Sequence, residues 1–238
     1  MFNKISDEYI KSVFDHAAKK YDVMNDIMSV GMHRMWKNFM VKICNPKPHS
    51  IVLDLAGGTG DLTIKFAQKL KDSGKIFLVD SNKSMLTVGK KKIRNFGLIK
   101  NIYYIQASAE NLPFANFSFD VAAISFGLRN MCNQEKSLRS VFRVLRTGGK
   151  LVILEFSKPY SEVLKKLYSV YSFSFPYVGL LLFNNSFSYR YLIKSVQTYY
   201  DQKHLKKIIR ASGFNKISHF NLLGGIASIH VGFKTTLY

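Results

Sequence analysis

Asp54 and Asp80 each stand at the end of a short apolar run, and Gly57, Gly58, Thr59 and Gly60 lie between them. The stretch IVLDLAGGTG at 51–60 reads as a buried strand, carried by Ile51, Val52, Leu53 and Leu55, that runs into a glycine-rich turn. Asp61-Leu62-Thr63 then opens an amphipathic helix through about Leu70. Glycines at 57, 58 and 60 let the backbone take positive φ and let a ligand approach atoms that a Cβ would shield. A strand, turn and helix so joined is built to hold a nucleotide-like molecule. Asp80 closes Ile76-Phe77-Leu78-Val79, at about the distance downstream where an acid meets a ribose. Each acid also has a structural reading: Asp54 as a cap of the turn through backbone N–H bonds, Asp80 as a helix N-cap.

The type of nucleotide is narrowed by one position. A dinucleotide fingerprint that began at Gly58 would need glycine at 63, where Thr63 stands, so a pyrophosphate cradle is disfavoured. The alternative is S-adenosylmethionine, with an amino-acid end and a sulfonium in place of pyrophosphate. Such a ligand needs close backbone contact and an acid for its ribose, and no long helix-dipole cradle.

The elements around these residues alternate. Ser81–Phe96 has helical spacing, with Met85, Leu86, Val88 and Ile93 as the inner face; Ile102–Ala107, Phe119–Ser125 and Lys150–Glu155 read as strands, with a helix near Gln134–Leu145. Strands alternating with helices through 51–155 call for a parallel sheet covered on both faces. Before it, 5–20 and a second pattern around His33, Arg34 and Trp36 are helical; standing ahead of the first strand, they are expected as a cap or an edge covering. After it comes an aromatic-rich segment, Leu167 to Phe183, shorter than the ~20 apolar residues of a spanning helix and interrupted by Ser169, Ser172, Ser174, Pro176 and Gly179. A helix over Asp201–Ser212 and two strands, Ile217–Leu222 and Ala227–Phe233, complete the chain, and two successive strands with no helix between them must pair antiparallel. The expected division is one domain: a helical cap at 1–48, a ligand-binding core at 49–157, a lid or insertion at 158–200, and a closing helix and hairpin at 201–238.

Cys44 and Cys132 lack CxxC spacing, which supports neither a disulfide framework nor a cysteine zinc site, and no metal is expected. No secretory signal is apparent, so the expected compartment is the cytoplasm. The net charge of +20 has three readings: compositional drift that also enriches Lys, Asn, Ile, Phe and Tyr, attraction to an anionic membrane, or nucleic-acid binding. The basic residues are spread along the chain, Lys90-Lys91-Lys92 apart, which makes nucleic acid the least favoured.

DLAGGTG at 54–60, VDSNKSML at 79–86, SAENLPF at 108–114 and RVLRTGGKLVILEFSKP at 143–159 resemble the successive motifs of class I S-adenosylmethionine-dependent methyltransferases. VFDHAAKKYDVMND at 13–26, GMHRMWK at 31–37, ISFGLRNM at 124–131, SYRYLIKSV at 188–196 and NLLGGIASIHVGFK at 221–234 are similar, more narrowly, to the quinone-biosynthesis C-methyltransferases of the UbiE type. The resemblance covers nearly the whole chain, in order. It implies a Rossmann-like α/β fold with a mostly parallel seven-stranded sheet, an antiparallel C-terminal hairpin and helices on both faces. It implies S-adenosylmethionine as co-substrate and a polyprenyl quinol as methyl acceptor. Peripheral contact with membrane, other quinone-biosynthesis enzymes or a second copy of the chain are the partners it suggests. Another small-molecule methyltransferase and an RNA methyltransferase are the competing readings.

The resemblance assigns roles residue by residue. Asp54, Gly58, Thr59, Gly60 and Asp80 fall to the cofactor; Ser108 and Ala109 lie at the adenine position, and Ser125 near the methionine end. Ser108 stands where the family usually has Asn, Thr147 where it has Pro, and Asn185 where it has an acid; a serine hydroxyl still donates and accepts. Arg129, in Phe126-Gly127-Leu128-Arg129-Asn130, follows the fourth strand, where this fold places its chemistry. It is the candidate catalytic residue, as a cation that favours an ionised phenol, against a structural reading as a salt bridge that fixes the loop. His33 and Trp36 fit packing as well as substrate contact.

Overall fold

Strands with apolar residues on both faces are buried from both sides, and here they form one seven-stranded sheet in a computed structural model that describes residues 7–173 and 187–235. β1 (Ile51–Leu55), β2 (Lys75–Asp80), β3 (Ile102–Gln106), β4 (Phe119–Ser125) and β5 (Leu145–Phe156) are parallel. β6 (Asn215–Leu222) and β7 (Ala227–Phe233) are antiparallel to each other, and β7 is antiparallel to β5. The order is β3-β2-β1-β4-β5-β7-β6, so the last strand inserts into the sheet and β6 becomes the edge. The chain leaves β1 toward β2 on one side and returns to β4 on the other. That reversal opens a crevice at the carboxyl ends of β1, β2 and β4.

The helices among the described residues are α1 (Asp7–Ala17), α2 (Tyr21–Ser29), α3 (Met32–Cys44), α4 (Asp61–Leu70), α5 (Lys83–Asn95), α6 (Gln134–Val144), α7 (Glu162–Phe173), α8 (Phe187–Gln197) and α9 (Gln202–Ala211). Alternate strand residues feed two cores. On one face Trp36, Met40 and Cys44 of α3 and Phe66 and Leu70 of α4 pack on Val52, Val121, Ala123, Val152 and Leu154. On the other, Leu138 and Val141 of α6 and Leu205 and Ile209 of α9 pack on Leu53, Leu55, Ala122, Ile124 and Ile153. Asn82 caps α5, its side chain accepting from the Met85 N–H at 2.9 Å, and Asp201 caps α9 through His204 at 2.7 Å.

The structure adds to two readings and leaves a third largely outside the described residues. α3, expected as a cap or an edge covering, sends Trp36, Met40 and Cys44 into the sheet's core beside α4. β5 begins at Leu145, not Lys150, because the glycine pair at 148–149 is absorbed by a register shift between Phe119 and Val121. Of the aromatic segment, the part to Phe173 is the end of α7; the rest, with Asn185, lies outside the described residues. No described helix is long and apolar enough to cross a membrane.

Candidate functional site

A cavity of about 260 Å³ opens at the crevice, walled by the glycine turn, the ends of β2 and β4, and residues of α1, α2 and α3. Gly58 and Gly60 have φ of +55° and +79°, but Gly57 does not; Ala56, at φ 54°, takes the left-handed conformation instead. Gly57 is required by proximity: a Cβ there would sit 3.0 Å from the Asp54 carboxyl carbon. The β1–β2 and β1–β4 registers pair Leu55 with Val79 and with Ile124, which brings Asp80 and Ser125, each the next residue, to the same edge of the sheet.

Asp54 is fully buried and lines the cavity. Its Oδ2 accepts from Thr63 Oγ1 at 2.6 Å, whereas Oδ1 is buried with no partner. Burial pushes its pKa up to about 7, against the Thr63 hydrogen bond and the Lys37 charge, which pull it down. The turn-capping reading therefore accounts for one oxygen only. Asp80 accepts the Gly58 N–H on Oδ2 and the Asn82 N–H on Oδ1, both at 2.9 Å. Two backbone donors fix the carboxylate and leave each oxygen a lone pair for a diol. The N-cap of α5 is Asn82, not Asp80. Burial raises the Asp80 pKa against these same bonds.

Thr59 lines the cavity, and its hydroxyl donates to Asp22 Oδ1 of α2 at 2.7 Å. Ser108 and Ala109 form the wall beyond β3; the Ser108 hydroxyl accepts from the Glu110 N–H at 3.2 Å. Ser125 Oγ is a second buried polar atom without a partner on this wall. Arg129 is placed differently. Its guanidinium is buried against Glu155, Nη1 to Oε1 at 2.6 Å, donates to the Phe126 carbonyl at 2.8 Å and stacks 5.3 Å from the Phe156 ring. The loop's contribution to the cavity wall is Phe126, Gly127, Asn130 and Met131, without Arg129 itself. Tyr191 of α8 donates to Asn130 Oδ1 at 3.0 Å and so braces that wall from behind.

Several wall residues were not singled out by the sequence. Tyr21 and Asn25 of α2 face the cavity, and burial raises the Tyr21 phenol to about 12, so it stays protonated as a hydrogen-bonding group. Lys37 and Asp61 also line it and are paired at 2.8 Å. Asp61 follows the glycine turn directly, and Tyr21 and Asn25 lie within the VFDHAAKKYDVMND stretch at 13–26; these were the available signals, but the contacts that bring α2 to the site are distant in sequence. His33 and Trp36 are both packed inside. Burial holds His33 below its usual pKa despite Asp26, and Nε2–H donates to Asp26 Oδ1 at 2.8 Å. The described residues of α7 and α8 do not line the cavity.

The acceptor set suits a cationic adenosine derivative. Asp80 offers a fixed carboxylate for vicinal hydroxyls, and the orphaned Asp54 Oδ1 offers an acceptor for an ammonium, in a wall with apolar stretches from Leu55, Leu62, Met85 and Phe126.

Residues 2–234 match the ubiE/COQ5 methyltransferase family. Among individual proteins, the chain is 49% identical over 228 residues to the ubiquinone/menaquinone biosynthesis C-methyltransferase UbiE of Salmonella arizonae, covering 95% of this chain and 91% of that one. The UbiE protein of Cronobacter sakazakii is similar to the same extent. Solved structures agree in fold: a methyltransferase from Thermotoga maritima superposes with a TM-score of 0.68 at 16% identity, over 95% of this chain and 100% of that one. A protein from Methanococcus maripaludis superposes at 0.66 and 17%, over 94% of each.

Proposed function

Because the chain belongs to the ubiE/COQ5 methyltransferase family, we propose that its cavity holds S-adenosylmethionine beside a polyprenyl quinol and that a ring carbon of the quinol is methylated there. The substrates proposed are demethylmenaquinol, 2-polyprenyl-6-methoxy-1,4-benzoquinol, or both. The observation that carries this reading is the pair of buried, partnerless polar atoms, Asp54 Oδ1 and Ser125 Oγ, on one cavity wall with Asp80. Buried polar atoms without partners are rare in a finished fold, and a polar ligand resolves the cost.

S-adenosylmethionine supplies an electrophilic methyl group on a sulfonium. The protein's part is positioning, which accounts for much of the rate of a direct displacement. Asp80 orients the ribose, Ser108 and Ala109 flank the adenine, and the Gly57–Gly60 turn lets the backbone approach. The acceptor must be the reduced quinol, since an ionised hydroxyl raises electron density at the ortho carbon and a quinone carbonyl withdraws it. Proton removal falls to a water held by the polar groups on the far wall, Tyr21, Asn25 and Asn130. Arg129 contributes to that wall at one remove: its charge is shared with Glu155, and its bond to the Phe126 carbonyl shapes the loop that presents Asn130.

A polyprenyl substrate resides in lipid, and we place the membrane contact on α7. Val163, Leu167 and Val170 form a stripe at helical spacing and are 66%, 61% and 74% exposed. Flotation with anionic vesicles checks this, and Leu167→Glu should reduce the bound fraction. The reaction itself is tested by mass spectrometry of products from both quinols with labelled cofactor. A mass gain of one methyl on the ring of at least one is expected, and label on oxygen, nitrogen or RNA alone would remove the proposal.

A further inference from the structure

The cavity wall carries a cation with unspent hydrogen-bonding capacity. Lys37, the last residue of the GMHRMWK stretch and part of α3, is 5% exposed, yet it reaches the cavity lining. An ammonium has three donors. Nζ gives one, to Asp61 Oδ2 at 2.8 Å. Asp61 does not depend on it alone, because its Oδ1 accepts from Lys92, which also donates to Asp22. The two lysines and two aspartates balance without a ligand. If an anion joined Lys37, Asp61 would keep Lys92 and no buried charge would be stranded.

Asp54, on the same cavity, has the complementary defect, a buried carboxylate oxygen with no donor. Lys37 is close enough to pull the Asp54 pKa down against its burial. Lys37 is held by Asp61 and Asp54 by Thr63, both in the first turn of α4, so a cation with free donors and a carboxylate with a free acceptor meet at one end of the cavity and match one chemical group: an ammonium and a carboxylate on the same carbon.

We propose that Lys37 receives the α-carboxylate of the cofactor's amino-acid end, with Asp54 taking the ammonium, so that the pair selects the complete amino acid and not merely the nucleoside thioether. The proposal rests on the reading of this cavity as the S-adenosylmethionine site and adds to it a specificity-determining residue from outside the sheet. It also gives α3 a role in binding beyond its packing. The adenine and ribose contacts at Asp80, Ser108 and Ala109 are not involved, which allows the two to be separated.

The test is calorimetry with two ligands that differ only in the carboxylate: S-adenosylhomocysteine and its decarboxylated analogue, 5′-deoxy-5′-(3-aminopropylthio)adenosine. Wild-type protein should prefer the first by roughly tenfold to a hundredfold, the size of a charge-assisted hydrogen bond. In Lys37→Met the preference should shrink to within about twofold while affinity for the decarboxylated ligand is kept, and Lys37→Arg should retain most of the preference. If Lys37→Met does not fold, Lys37→Gln carries the same comparison. Equal affinities in the wild type, or equal losses for both ligands in the variant, would overturn the assignment. Failure of the wild type to bind either ligand would overturn the cofactor reading and this assignment with it.

Discussion

The floor and the roof of the cavity are built on different principles. On the floor, Asp80 is fixed by the backbone N–H groups of Gly58 and Asn82, and Asp54 by Thr63, a residue of the helix that the same turn opens. Those partners come with the strand-turn-helix itself. The roof, α1 and α2, is hung on the floor by side chains. Asp22 takes the Thr59 hydroxyl and Lys92, and Asn82 reaches the Lys11 carbonyl at 3.3 Å and Asp15 at 3.0 Å. Most of the floor's anchors are backbone N–H groups, which persist when a side chain is changed, whereas the roof's side-chain contacts are lost one at a time. The floor should behave as a rigid receptor and the roof as a cover that opens, and the expectations below are ordered by how hard they strain that contrast.

The largest effect is expected behind the far wall. Glu155→Ala leaves the Arg129 guanidinium buried without its counter-charge and should cost about 3–5 kcal/mol in urea unfolding. Arg129→Ala should cost a similar amount, and the double variant less than the sum. Strict additivity would mean that the pair is not a unit and that the loop holding Asn130 is fixed by other means.

Next comes Asp80→Ala, which should weaken S-adenosylhomocysteine binding by roughly tenfold or more, because charge-assisted hydrogen bonds contribute about 1.5–3 kcal/mol. Unchanged affinity with the fold intact would falsify the ribose assignment.

A smaller effect is expected from pH. Asp54 is pushed from 3.8 to about 7 in the fold, so the folded chain holds a proton there that the unfolded chain releases. Its contribution to stability is fully present below about pH 4 and is lost as pH rises through about 7. In the ligand-free protein, Asp54→Asn should therefore flatten the decline of Tm between about pH 4 and 7, with Lys37 and Asp80 as the charged neighbours that set the residual slope. An identical slope in the variant would show that Asp54 does not titrate in that window.

Asp22→Asn is expected to do least to stability. Asp22 and Lys92 are both partly exposed, and such a pair contributes about 0.2–1 kcal/mol. Amide exchange over 7–29 should nonetheless quicken, with exchange in β1 and β2 unchanged. Equal acceleration in both regions would mean that the roof is not a separate unit.

The same contrast explains what the sequence made legible. The glycine turn and Asp80 could be read because apolar runs, the acids that end them and the turn residues lie within a short stretch. The sheet followed from the alternation of strands and helices. Side-chain partners far apart in sequence left no local trace: Asp22 on Thr59, Glu155 on Arg129, and Lys37 on Asp61. How deeply α3 enters the core was not legible for a related reason, since its periodicity shows a buried stripe but not the surface that buries it. Gly57 was read as a positive-φ residue when the actual demand was space beside Asp54, a contact made only once the turn is folded.

The central claim is that an electron-rich quinol ring carbon receives the methyl group. The most direct measurement is an anaerobic assay with methyl-labelled S-adenosylmethionine and the acceptor supplied either reduced by a chemical reductant or fully oxidised, following label in the ring by mass spectrometry. The account expects incorporation with the quinol and none with the quinone. Equal rates on the oxidised quinone, with its reduction excluded, would contradict it.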